Sequence, residues 1–153
     1  MKRFLASGFG VGLVWQNIFG NKKGGGTLAP FIFTILVYFF NLNVLALSIL
    51  FVSLLLIYFY SVEDHYADED PSWITLDEIV GMSLVSLASP SEMLPLIAGF
   101  LVFRASDILK QPKFVSQLEN YPGKLGVLYD DLGAGLLGLL SATIVHQVSL
   151  LTL

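Results

Sequence analysis

Cysteine is absent from the chain, which removes disulfides, thiolate metal sites and cysteine-based phosphoryl or acyl transfer. Charge is scarce as well: 13% of the 153 residues are Asp, Glu, Lys or Arg, against 55% hydrophobic residues. With a mean hydropathy of +0.75, that balance is too apolar for an ordinary soluble domain and reads as a small polytopic membrane protein. Histidine occurs twice, at His65 in an acidic stretch and His146 in an apolar one, too few for a lipid phosphatase built on a histidine nucleophile. No alternation of apolar and polar residues marks a strand, which sets aside the aspartyl-phosphate enzymes that carry D-x-D at a strand end. Asp68-Glu69-Asp70 is a formal D-x-D outside that context. The net charge of -4 gives no reason to expect nucleic acid.

What is present is a succession of apolar segments. The length predicts a single domain over residues 1–153, and the expected class is all-α, a membrane bundle of four to five hydrophobic helices with a polar site at the cytoplasmic face. Lys2-Arg3 opens a short apolar stretch interrupted by Ser7, Gly8, Gly10 and Gly12, expected as a short retained helix or interfacial segment and not a signal peptide. Gln16 to Thr27 is a glycine-rich loop with Lys22 and Lys23. Such backbone can wrap phosphate; the plainer reading is a cytoplasmic loop with positive-inside lysines. Residues 28–60 are apolar throughout, too long for one span, and Asn41-Leu42-Asn43 divides them into helices at Pro30–Phe40 and Val44–Tyr60.

Residues 63–71 are expected as a solvated acidic linker, since their acids and His65 lack a ligand spacing. Helices follow at Trp73–Ala88 and Met93–Leu109, joined by a turn at Ser89 to Glu92. A polar connection from Pro112 to Tyr129 leads to a final helix opened by Asp130-Asp131 and running to about Leu151. On it, Gly133, Gly135 and Gly138 suit close helix packing in lipid, and His146 is read as bonded to a neighbouring helix.

Three charged places stand out against this background. Arg104, Asp107 and Lys110, spaced three apart, share one helix face and end an apolar run. Asp77-Glu78 and Asp130-Asp131 are the acidic pairs able to meet them or to hold a metal. If Met1 starts inside, no Lys or Arg falls in the outer turns, so every basic residue lies on the cytoplasmic side together with all three charged places. Carboxylates beside an arginine and a lysine suit an oxygen-ligated divalent ion, such as magnesium, bridging to a phosphate. The same residues also fit ion pairs that lock helix ends, and Asp130-Asp131 fits a cap on a helix dipole. A transporter or scaffold using them as an ion relay is a further alternative.

The strings DPSWITLDEIVGM (Asp70 to Met82), GFLVFRASDILKQPKF (Gly99 to Phe114) and GKLGVLYDDLGAGL (Gly123 to Leu136) resemble three signature blocks of the phosphatidylglycerophosphatase A family, in that family's order and spacing. The resemblance implies a bacterial inner-membrane enzyme that uses Mg2+ to remove the terminal phosphate from phosphatidylglycerophosphate, giving phosphatidylglycerol. Its partners would be a phospholipid substrate and the bilayer, with a cytoplasmic active site. It implies that Asp77, Glu78, Asp107, Asp130 and Asp131 supply the metal ligands and a water-positioning base, and that Arg104 and Lys110 hold phosphate. An N-terminal block matches in part: Gly26 and Thr27 correspond to the family's A-P-G-T-x-G-S, while the flanking residues differ and Pro112 stands one place late.

Overall fold

In the computed structural model, residues 1–20, 24–67, 71–89 and 92–152 are described. They form helices and no strands: α1 (Lys2–Ala6), α2 (Val11–Phe19), α3 (Gly25–Phe40), α4 (Val44–Ser61), α5 (Asp64–Ala67), α6 (Leu76–Val85), α7 (Met93–Leu109), α8 (Lys113–Leu118) and α9 (Lys124–Thr152). The all-α class is therefore as expected. Two of these helices, α4 and α9, are long and apolar enough to cross a membrane; α3 and α7, with 16 and 17 residues, fall below that length.

The 29-residue α9, about 43 Å long, is the spine. α7 and α6 both lie along it, and small residues set how close they come. A Cβ on Gly135 would sit 2.8 Å from Gly81 O, and one on Gly138 2.8 Å from Gly99 O. Backbones this close exclude any side chain at the crossings, which is the close packing the glycine spacing predicts. Gly133 instead faces Leu118 and Phe114 of α8. α3 and α4 pack on the outer side of α6, and the buried core runs between these layers through Leu54, Tyr58, Leu76, Val80, Phe103 and Leu128.

The break at Asn41 to Asn43 falls where expected. Asn41 takes a left-handed backbone (φ 47°) that ends α3, and the Asn43 side chain accepts from Ala46 N to cap α4. Tyr58 is a core residue, fully buried with its hydroxyl donating to Lys124 O (2.7 Å), whereas Phe59 and Tyr60 are exposed.

Three boundaries differ from expectation. The glycine-rich loop is shorter, since Gln16 to Phe19 belong to α2 and Gly25 to Thr27 to α3; Lys22 and Lys23 lie outside the described residues. α6 begins at Leu76, so Asp77 and Glu78 occupy its first turn. α9 begins at Lys124, so Asp130 and Asp131 lie in its second turn, beyond the free N–H groups of the first, which removes the capping role. At the start of the acidic stretch the described side chains are exposed: Glu63 pairs with Lys2 (2.7 Å) and Asp64 Oδ1 accepts from Lys124 N (3.1 Å), while 68–70 and 90–91 lie outside the described residues.

Candidate active site

Four helices bring their charged ends together. The first turn of α6 supplies Asp77 and Glu78, the C-terminal part of α7 supplies Arg104 and Asp107 and its cap Lys110, the second turn of α9 supplies Asp130 and Asp131, and the first turn of α3 supplies Gly26 and Thr27. The α6–α9 glycine crossing aligns two of these contributions, because a Cβ on Gly81 would lie 2.9 Å from Asp131 O. Gly81 is a residue the charge pattern did not single out, although it is the glycine of D-E-x-x-G.

Within this cluster the acids divide into two groups. Asp77, Glu78 and Asp131 each offer one oxygen within 4.8 Å of the others. Asp77 and Asp131 are 5% and 4% exposed, and Asp77 Oδ1, Glu78 Oε2 and Asp131 Oδ1 are buried without a hydrogen-bond partner. Buried carboxylate oxygens with nothing to accept from are costly, several kcal/mol for a charged group. Burial first, and then the neighbouring acid charges, push Glu78 well above the usual carboxylate range; burial likewise raises Asp77. Both lie on α6, whose ten residues span about 15 Å and do not cross a bilayer.

Asp107 and Asp130 belong to the second group, which is paired. Asp107 Oδ2 is 2.7 Å from Arg104 Nη1 and its Oδ1 is 3.4 Å from Lys110 Nζ; Lys110 also pairs with Asp130 Oδ2. Asp130 Oδ1 accepts from Asp131 N (3.0 Å), so one carboxylate links the lysine to the backbone of the other acid group. Lys110 ends α7 in a left-handed backbone (φ 50°), which carries its side chain between α7 and α9.

The first turn of α3 closes the cluster from the opposite side. Thr27 Oγ1 accepts from Arg104 Nη2 (3.2 Å), and a Cβ on Gly26 would collide with Glu78 Oε1 while lying 3.6 Å from Arg104 Nη2. The Arg104 guanidinium also lies 5.5 Å from the Phe103 ring centroid. The five acids, Arg104, Lys110, Gly26 and Thr27 named from the sequence blocks thus lie in one cluster, and the cluster sorts the acids into unpaired carboxylates and cation-bound ones. That division was not legible in the spacing.

Comparison with known proteins agrees with the three blocks. The chain matches the phosphatidylglycerophosphatase A family over residues 4–146. It belongs to that family. The family is one of lipid phosphatases, and the match covers every element that contributes to the cluster. A curated protein of Bacteroides thetaiotaomicron, provisionally named a phosphatidylinositol-3-phosphatase, is 43% identical over 70 residues. The aligned segment is 44% of this chain and 43% of that protein, so the chain spans less than half the length of that relative. No solved structure matches.

Proposed function

We propose that this family member is a magnesium-dependent lipid phosphatase that hydrolyses phosphatidylglycerophosphate to phosphatidylglycerol and phosphate. The observation that carries the reading is the trio of partnerless buried oxygens on Asp77, Glu78 and Asp131 beside the Arg104 guanidinium. Three hard oxygen donors, without sulfur or imidazole, fit a magnesium-like ion, and such an ion would relieve the cost of burying them. Asp77, Glu78 and Asp131 are the residues that would hold it. The chemistry a divalent cation supplies there, when bound, is neutralisation of phosphoryl charge and acidification of water.

Arg104 and Lys110 bind the phosphoryl oxygens and offset the charge that builds as the phosphorus–ester bond breaks. Asp107 and Asp130 act as positioning residues, holding both cations against the site. Thr27 fixes the second edge of Arg104, and Gly26 leaves room for the Glu78 carboxylate. A carboxylate of the cluster takes a proton from the attacking water as the water oxygen bonds to phosphorus, and returns it to the glycerol oxygen as the phosphorus–ester bond breaks, so that the alcohol leaves protonated and the carboxylate is regenerated.

The reading includes a single domain over 1–153 that crosses the bacterial inner membrane several times, four to five hydrophobic helices in all, with the site on the cytoplasmic side. The length of α9 supports that depth. Its ~43 Å exceeds a ~30 Å hydrocarbon core by roughly 13 Å, so Asp130 and Asp131, about 10 Å from its start, fall at the membrane boundary. An ion-relay transporter predicts acids strung across the bilayer; here they gather at one end. The relative's name favours one alternative substrate, a phosphoinositide monoester.

The test is phosphate release by detergent-purified protein from phosphatidylglycerophosphate and from phosphatidylinositol 3-phosphate, with magnesium and with excess chelator. Magnesium-dependent release from phosphatidylglycerophosphate is expected. A preference for the phosphoinositide would replace the substrate, and no release from either lipid would overturn the reading.

A further inference from the structure

Thr75 occupies the N-cap position of α6, where a threonine hydroxyl ordinarily accepts from an N–H of the first turn, yet it makes no such bond. The residue is fully buried, and its Oγ1 has no hydrogen-bond partner among the described residues. Burying a hydroxyl without a partner costs free energy, so capping is not what Thr75 contributes.

What surrounds the side chain is glycine. A Cβ on Gly8 would lie 2.6 Å from Thr75 Oγ1, and one on Gly25 would lie 3.4 Å from Thr75 Cγ2. A Cβ on Gly12 would lie 3.0 Å from the same methyl and 2.2 Å from Trp73 O. The α1–α2 turn, α2 and α3 thus each bring bare backbone against one side chain. Its main chain is anchored as well: Thr75 N donates to Ala6 O (3.2 Å), and Thr75 O accepts from Ile79 N (3.3 Å) to start α6.

Asp77 and Glu78 follow two and three residues later, in the turn that this anchorage begins. Side-chain ends lie about 5–6 Å from a helix axis, so turning α6 by about 10° would move both carboxylates by about 1 Å. Magnesium demands near-ideal geometry at short oxygen distances, and a shift of that size weakens it. Gly26, next to Gly25, leaves room for Glu78, so α3 meets both Thr75 and one of the carboxylates that follow it. We propose that Thr75 is a positioning residue for the cation-binding carboxylates: its shape, wedged among Gly8, Gly12 and Gly25, fixes the rotation of α6 and so the place of Asp77 and Glu78. This deepens the magnesium reading of the acid trio and rests on it. It also gives the N-terminal glycines a part in the site.

The test uses detergent-purified protein and two readouts, the magnesium Kd by calorimetric titration and backbone hydrogen exchange over residues 76–80. Thr75→Ala removes the wedge and should weaken magnesium about tenfold, the scale for residues that orient metal ligands, while exchange in the first turn of α6 quickens. Thr75→Ser, which keeps the hydroxyl and loses the methyl, should change both in the same direction, and it stands in for Thr75→Ala if that variant does not fold. Thr75→Val keeps the shape without the hydroxyl and should restore both to wild-type values. Leu96→Ala empties a fully buried position about 12 Å along α7 from Arg104, and should lower the melting temperature with the magnesium Kd unchanged. A wild-type Kd in a folded Thr75→Ala or Thr75→Ser protein, no recovery in Thr75→Val, or equal weakening in Leu96→Ala would overturn the proposal. If wild type binds no magnesium, the metal reading fails and exchange decides: quickening confined to the first turn of α6 and reversed in Thr75→Val upholds the wedge, and unchanged exchange overturns it.

Discussion

The two ends of the α7–α9 pair carry charges of different kinds. At one end Glu92, just before α7, faces His146 of α9, with Nδ1 2.8 Å from Oε1, and Ser149 Oγ donates to the other Glu92 oxygen (3.3 Å). The opposite charges there lie at ion-pair distance, and the pair is half open to the surroundings. At the other end Lys110 joins Asp107 to Asp130 in the same manner, but Asp77, Glu78 and Asp131 remain beside it with buried oxygens that nothing in the protein satisfies. The helix-locking interpretation accounts fully for the first end. It accounts for half of the second, and the remaining carboxylates are placed so that they could hold a metal ion.

That contrast is broken most strongly by removing a surplus carboxylate. Asp131→Asn should lower phosphate release by on the order of 10³-fold, the scale of losing one charge-stabilising group in a low-dielectric site. Its cation-free form should melt no lower than wild type, because an uncompensated buried charge has been deleted. Melting curves with and without magnesium check this: wild type gains stability from the ion and the variant does not.

Gly26→Ala should follow in size. The added Cβ collides with the Glu78 carboxylate, and displacing a catalytic group by about 1 Å costs roughly 10²-fold in rate. Steady-state kinetics beside circular dichroism separate this from misfolding. Asp107→Asn, which loosens Arg104 and Lys110 without touching the trio, should cost about 10- to 100-fold, mostly as a raised KM, while magnesium still stabilises the protein.

A pH titration sharpens the same difference. Asp77 and Glu78 keep protons in the folded cation-free protein that the unfolded chain gives up at ordinary carboxylate pH. The unfolded state therefore binds fewer protons, and stability should fall as pH rises through and above the ordinary carboxylate range. Magnesium, which favours the ionised form, should flatten that slope in melting measurements.

The smallest effect is expected at the opposite end. Glu92→Gln weakens a half-exposed pair and should cost at most about 1 kcal/mol of stability, with phosphate release unchanged. A large loss of activity there would mean that the two ends are coupled and that the contrast is misplaced.

Much of this was legible in the chain because charge is rare enough in so apolar a sequence for every instance to be informative. Asp77-Glu78, Arg104 to Lys110 and Asp130-Asp131 could be named and placed on one surface from spacing and the distribution of lysine and arginine alone. The Asn41 to Asn43 break was equally plain, since two asparagines interrupt an otherwise unbroken apolar run. The start of α9 was not, because Pro122, Gly123 and Gly126 read as a connection. The structure uses Gly126 to let the helix pass against the backbone of Tyr121 and Glu119. Nor could periodicity distinguish Asp107 from Asp131 as a partnered or partnerless acid, since that depends on which side chains the α6–α9 and α7–α9 crossings bring within reach.

The most direct test sets the two ends side by side. Phosphate release from phosphatidylglycerophosphate in magnesium is measured for wild type, Asp131→Asn and Glu92→Gln, each verified as folded by circular dichroism. Loss of release in Asp131→Asn with wild-type release in Glu92→Gln is the predicted result. Wild-type release from a folded Asp131→Asn protein would contradict the account.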